Sequence, residues 1–208
     1  MQIILDISAN THKNDHDYYK KMIDELAKVD SHKHEVILKW QLFEKEGDNI
    51  IPNKTMFVKK AWWAFKTYGY KTTASVFDKG SLHYLIDVIR LPYELPFIKI
   101  ANRRNLDWLI GEIPRKYKIY KSVGDLEEYG DWRLALDVTV TLFCVSNYPA
   151  NMGDYPERVL YISDHTVGLE LFHRNKPFIW EKHYKLSDST GLDAGEFAIT
   201  PEELREIL

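Results

Sequence analysis

Strand-forming runs alternate with helix-spaced segments from one end of the chain to the other, and this alternation constrains the fold more than any other feature. Runs rich in Val, Ile, Tyr, Phe and Trp occur at Ile3 to Asp6, Glu35 to Trp40, Lys71 to Val76, Phe97 to Ile100, Tyr117 to Lys121, Val138 to Val145, Arg158 to Ile162 and Pro177 to Glu181. Between them, Tyr19, Ile23 and Leu26, then Trp62, Trp63 and Phe65, then Leu82, Leu85 and Ile89, then Leu106, Leu109 and Ile110 carry helical spacing. Strands alternating with helices favour a parallel sheet, and eight such units predict closure into a compact (β/α)8 TIM barrel occupying 1–208 as one domain. The connections Asp125 to Asp137, Asn147 to Glu157 and Thr166 to Lys176 are tight, so shortened helices are predicted in the second half. Thr200, Pro201 and Glu203 place an N-cap, a first-turn proline and a capping-box acid ahead of Leu204, which predicts a terminal helix.

Charge and cysteine content exclude several function classes. The 28 Lys and Arg residues against 31 Asp and Glu residues leave a net charge of −3, which gives no electrostatic basis for a nucleic-acid or anionic-membrane partner. The single cysteine, Cys144, can form no internal disulfide and no thiolate zinc site alone, which fits a reducing compartment and predicts a cytoplasmic protein. No apolar run approaches the roughly 18 residues of a membrane span, and Met1 to Asp6 runs into a strand pattern without a basic leader.

In a parallel barrel the strand ends surround one mouth, so functional groups are sought there. The predicted ends bring together Asp6 and Asn10, Lys39 and Gln41, Ser75 and Asp78, Lys99 and Asn102, Ser122, Ser146 and Tyr148, Ser163 and His165, and Glu181 and His183. Two lysines, several hydroxyls and two histidines at one mouth describe a site for an anionic, phosphorylated ligand beside a metal.

These residues also carry a resemblance. Cys144-Val145-Ser146-Asn147-Tyr148-Pro149-Ala150 resembles the sixth-strand signature of the sialic acid synthase family, whose members condense phosphoenolpyruvate with N-acetylmannosamine or related sugars. Tyr161 to Gly168 resembles the seventh-strand S-D-H-T-x-G motif, Glu181-Lys182-His183-Tyr184 the eighth-strand E-K-H-F motif, and Gly191-Leu192-Asp193 the G-x-D that follows. The N-terminal half is similar more loosely, through Asp6 to Asn10, Leu38 to Gln41, Val76 to Asp78 and Lys99 to Ala101. The resemblance implies metal ligation by His165 and His183, with Mn2+ or Mg2+ as the cofactor polarising the sugar aldehyde. It implies catalytic roles for Asp6, Lys99 and His183, and contacts to phosphoenolpyruvate from Lys39 and Lys99, helped by Ser75, Ser122, Ser146 and Ser163. Tyr148 and Asp193 match sugar-contacting positions, and Asn102 and Arg104 fall in the same substrate region. The implied partners are phosphoenolpyruvate and an aldose such as N-acetylmannosamine, and a homodimer is the assembly the resemblance allows.

The chain departs from the family pattern at Asp6, where the family has Glu, at Arg104, where a site Glu is expected, and at Thr11, which stands for a histidine. The resemblance is to the catalytic barrel, lacking the antifreeze-like domain that usually follows in the family and lends an arginine to a partner's sugar site. Two functional readings follow. One is an enzyme of sialic acid synthase type; the other is a barrel that binds metal and a phosphorylated ligand without turnover.

Overall fold

The computed structural model describes residues 1–8, 16–43, 54–102, 106–130 and 138–208. Eight parallel strands close into a barrel in sequential order: β1 (Gln2–Asp6), β2 (Glu35–Leu42), β3 (Lys71–Val76), β4 (Ile98–Ile100), β5 (Ile119–Val123), β6 (Val140–Cys144), β7 (Tyr161–Asp164) and β8 (Ile179–His183). Closure is made by β8 against β1, with Gln2 opposite Ile179 and Asp6 opposite His183. The predicted (β/α)8 barrel is therefore present.

Alternation along each strand divides the residues between two environments. Outward side chains meet the helices: Trp40 is fully buried between Tyr19 of the helix His16–Val29 and Phe57 of the helix Lys54–Tyr68, with ring centroids 4.7 and 5.8 Å away. Inward side chains form layers. Ile4, Ile37, Phe97, Tyr120, Leu142 and Ile179 make an apolar layer at the N-terminal end, where the Phe97 and Tyr120 rings stack at 3.9 Å. Two residues further along those strands the inward side chains become Asp6, Lys39, Lys99, Ser122, Cys144 and Glu181. The barrel interior thus changes from hydrocarbon to charge within one layer.

Several predicted boundaries are corrected. β5 begins at Ile119 rather than Tyr117, because Tyr117 closes a turn onto the Pro114 carbonyl, and it runs on to Val123 opposite Phe143. β7 begins at Tyr161 rather than Arg158, whose φ of 63° is left-handed and breaks an extended run. β8 runs from Ile179 to His183, and the leading Pro177 has no N–H to give to a ladder. Shortened helices appear already after β3, where Lys79–His83 passes into one π-helical turn, Tyr84–Val88, and ends before the extended Ile89. The segment after β4 is a 3-10 helix, Asp107–Glu112. Later connections are Leu126–Tyr129, a 3-10 turn at Met152–Asp154, and Glu170–Asn175. In the second helix the core face is carried by Met56, Phe57, Ala61 and Ala64, while Trp62 faces solvent at 40% exposure. The terminal helix Pro201–Leu204 has the predicted capping box, in which Thr200 accepts from the Glu203 N–H and Glu203 accepts from the Thr200 N–H. Among the described residues no helix is long and apolar enough to cross a membrane.

Candidate functional site

A cavity of about 300 Å3 opens at the C-terminal ends of the strands. Asp6, Lys39, Ser75, Lys99, Asn102, Ser122, Ser146, Tyr148, Ser163, His165, His183 and Asp193 all line it. Of the predicted strand-end groups among the described residues, Asp78 does not join this lining, because its carboxylate caps the helix Lys79–His83. Arg104, together with Asn10 and Thr11, lies outside the described residues.

The floor of the cavity is an ionic network. Lys39 contacts Asp6 at 2.5 Å and donates to the Ser75 hydroxyl at 3.1 Å, and its Nζ lies 3.8 Å from Glu181. Lys99 contacts the other Glu181 oxygen at 2.6 Å, and Ser163 donates to Glu181 at 2.9 Å. Burying these charges is tolerated only because each has an opposite partner and directed hydrogen bonds. Burial works against the ionised form of Glu181, but Lys39 and Lys99 overcome it and hold the carboxyl down at about 2. Burial likewise opposes the charge on Asp6, yet Lys39 and His183 leave its pKa below the ordinary value. The two lysines differ. Lys39, held by Asp6 and Glu181 against the burial penalty, is raised, whereas burial prevails over Glu181 at Lys99, where the like charge of Lys39 adds to the lowering.

Glu181 is the functional residue that sequence reasoning did not assign. It stood at a predicted strand end, but its role comes from Lys39, Lys99 and Ser163, which converge on it from three other strands. Gln41 is a second such residue: its amide donates to Asp6 at 3.1 Å and to Asp193 at 2.8 Å, tying the floor to the segment after β8. Cys144 is a third, with its sulfur 3.9 Å from both Ser146 Oγ and His165 Nδ1.

Above the floor stand the histidines. His165 Nδ1 is 2.7 Å from the Val145 carbonyl, which can only accept, so this nitrogen carries the proton and Nε2 keeps a lone pair. Burial pushes the His183 imidazole down to about 4, so it is neutral at physiological pH. Its Nδ1 is buried without a hydrogen-bond partner, 3.7 Å from Asp193 Oδ2. Asp6, His183 and Asp193 place one ligand atom each within 4.8 Å of one another. An orphaned imidazole nitrogen between two carboxylates fits a divalent cation, since one nitrogen and hard oxygens are a donor set for Mn2+ or Mg2+. The His165 ring adjoins this cluster, with its centroid 5.4 Å from that of His183.

Aromatic side chains frame the opening. Phe43 and Phe77 stack at 4.1 Å on one side, and Tyr148 and Phe197 meet at 5.1 Å on the other. Phe197 also packs edge-on to His183 at 5.1 Å. This placement needs Gly195, because a Cβ there would come within 2.4 Å of the Phe197 ring.

No protein-family model matches the sequence, and no curated protein matches it. Solved structures do. One described as spore coat polysaccharide biosynthesis protein E, from Chromobacterium violaceum, is 20% identical over 99% of this chain and 72% of its own, with a TM-score of 0.76. A truncated 3-deoxy-D-arabino-heptulosonate 7-phosphate synthase from Thermotoga maritima is 10% identical over 99% of this chain and 83% of its own, with a TM-score of 0.60. At these identities the likeness is one of fold.

Proposed function

We propose that the chain is a sialic acid synthase-like enzyme that condenses phosphoenolpyruvate with a sugar aldehyde such as N-acetylmannosamine, giving a nonulosonic-acid-type 2-keto acid and phosphate. The observation that carries this reading is the meeting, in one cavity, of Lys39 and Lys99 with the Asp6, His183 and Asp193 cluster and with His165. The motif resemblance on β6 to β8 supports it. So does the likeness in fold to two structures named for polysaccharide biosynthesis and for heptulosonate 7-phosphate synthesis.

Carbon 3 of phosphoenolpyruvate bonds to the aldehyde carbon, whose oxygen takes up a proton; water adds at carbon 2, and cleavage of the bond from carbon 2 to the phosphate oxygen releases phosphate. His183, Asp193 and Asp6, beside His165, would hold a divalent ion, which would supply Lewis-acid polarisation of the aldehyde. Lys39 and Lys99 neutralise the phosphate and carboxylate, with Ser75, Ser122, Ser146 and Ser163 as directed hydroxyl donors. Asp6, held ionised by Lys39, orients water and accepts its proton. Asn102, Tyr148 and Asp193 meet the hydroxyls of the sugar.

A second reading, binding of metal and a phosphorylated ligand without turnover, is favoured by one observation: Lys39 and Lys99 are already matched by Asp6 and Glu181. A phosphate-release assay with phosphoenolpyruvate, Mn2+ and N-acetylmannosamine separates the two. Release requiring all three components supports the enzyme; binding of phosphoenolpyruvate without release under a panel of aldoses overturns it in favour of the binding module.

A further inference from the structure

Among the motif letters that the site does not use, Asp164, Thr166 and Lys182 converge behind it. On β7 and β8 the inward residues Ser163, His165, Glu181 and His183 line the cavity, while Asp164 and Lys182, paired in register, point to the other face of the sheet. Both side chains are fully buried, and Lys182 Nζ lies 3.1 Å from Asp164 Oδ2. One Asp164 oxygen accepts from the Thr166 N–H and the Thr166 hydroxyl, each at 2.8 Å; the other accepts from the Trp180 indole N–H at 2.9 Å. Lys182 donates to the Thr166 carbonyl at 2.6 Å. His165 therefore sits between two residues that are both clamped. Its own N–H donates to the Tyr155 hydroxyl at 3.1 Å, and its carbonyl accepts from the Ala150 N–H at 2.8 Å.

A buried ion pair is poor value as a source of stability, because desolvation of both charges offsets their attraction and an apolar pair of similar volume often does as well. Hydrogen bonds from such a pair, however, fix direction. We propose that the Asp164 and Lys182 pair is a positioning device that, through the Thr166 backbone and hydroxyl, holds the His165 imidazole with Nδ1 on the Val145 carbonyl and Nε2 presented to the cavity. The inference rests on the proposed function only in giving His165 a role in cation binding, and its test separates the two.

The experiment reads the His165 tautomer by imidazole 15N NMR on the metal-free protein, and Mn2+ affinity by calorimetry. Wild type is expected to show a single tautomer protonated at Nδ1. In the double variant Asp164→Ala/Lys182→Met, which leaves no orphan charge, the His165 resonances are expected to become a mixture and Mn2+ affinity to fall by about tenfold or more. Asp164→Asn/Lys182→Met, which keeps the oxygen that receives Thr166 but not the Lys182 bond to the Thr166 carbonyl, is expected to restore both readouts in part. A folded Ala double variant with wild-type tautomer and affinity overturns the proposal and makes the pair structural only. If that variant does not fold, Thr166→Val, which deletes one hydroxyl bond to Asp164, decides: faster exchange of the His165 Nδ1 proton supports the proposal and an unchanged rate overturns it. Wild-type protein that binds no Mn2+ removes the metal from the proposed function, while the tautomer measurement still decides the positioning role.

Discussion

Lys99 and His183 are the two residues whose substitution reports most directly on the floor and the wall of the cavity. Removing the Lys99 ammonium leaves Glu181 with one fewer cation and an incoming anion unpaired, so Lys99→Ala is expected to weaken phosphoenolpyruvate binding by about 2 to 4 kcal/mol. Calorimetry on wild type and variant checks it, and equal affinities would remove the anion from this end of the barrel. His183 predicts a pH dependence of the opposite sense to an ordinary salt-bridged histidine. With a folded value of about 4 against an ordinary 6.5, the unfolded chain binds a proton that the folded chain refuses, so stability falls as the pH drops through that window. Urea unfolding at pH 8 and pH 5 is expected to differ by about 2 kcal/mol on this account, a difference that His183→Gln abolishes. The residues that line the cavity were legible in the sequence because the lysines, hydroxyls and histidines stand at or within two or three residues of the strand ends. The role of Glu181 was not, because it depends on Lys39, Lys99 and Ser163, which reach it from strands far apart in sequence.

The elements reward the same comparison. Seven of the eight predicted strands were legible to within two residues, since β-branched and aromatic runs mark a strand wherever both faces are buried. β7 starts three residues later than its run, because ladder pairing, set by neighbours distant in sequence, decides where a strand starts. The helices of the second half could not be sized from apolar spacing, as a single buried turn is enough to cover a short strand. The capping box was legible in full, because all its partners lie within four residues. Thr200→Ala is accordingly expected to cost about 1 kcal/mol in denaturant unfolding. Gly195→Ala tests the segment after β8 instead: the added methyl must displace the Phe197 ring, so the variant is expected to keep its fold by circular dichroism while losing affinity for the proposed aldehyde substrate. An unchanged KM for the aldehyde would show that Phe197 does not shape the opening.

At the scale of the whole molecule, a cation held by β1, β8 and the segment that follows would fasten the seam where the barrel closes. Mn2+ at about 100 times its Kd adds about 2.7 kcal/mol, or about 5 to 10 °C in Tm for a chain of 208 residues, and His183→Gln is expected to lose that increment. Thermal scans with and without the ion check it. The apolar layer of Ile4, Ile37, Phe97, Tyr120, Leu142 and Ile179 has a consequence for traffic. Among the described residues it stops the barrel like a cork, so a molecule that reaches the lysines comes and goes through the aromatic-framed doorway. Whichever reactant belongs on the floor has to arrive before its partner stands over it, and the last product out is the one lying deepest. Steady-state kinetics should then be sequential and ordered, with the deep ligand binding first and its product leaving last; the chemistry of the mouth sets what reacts, and the closed floor sets the queue.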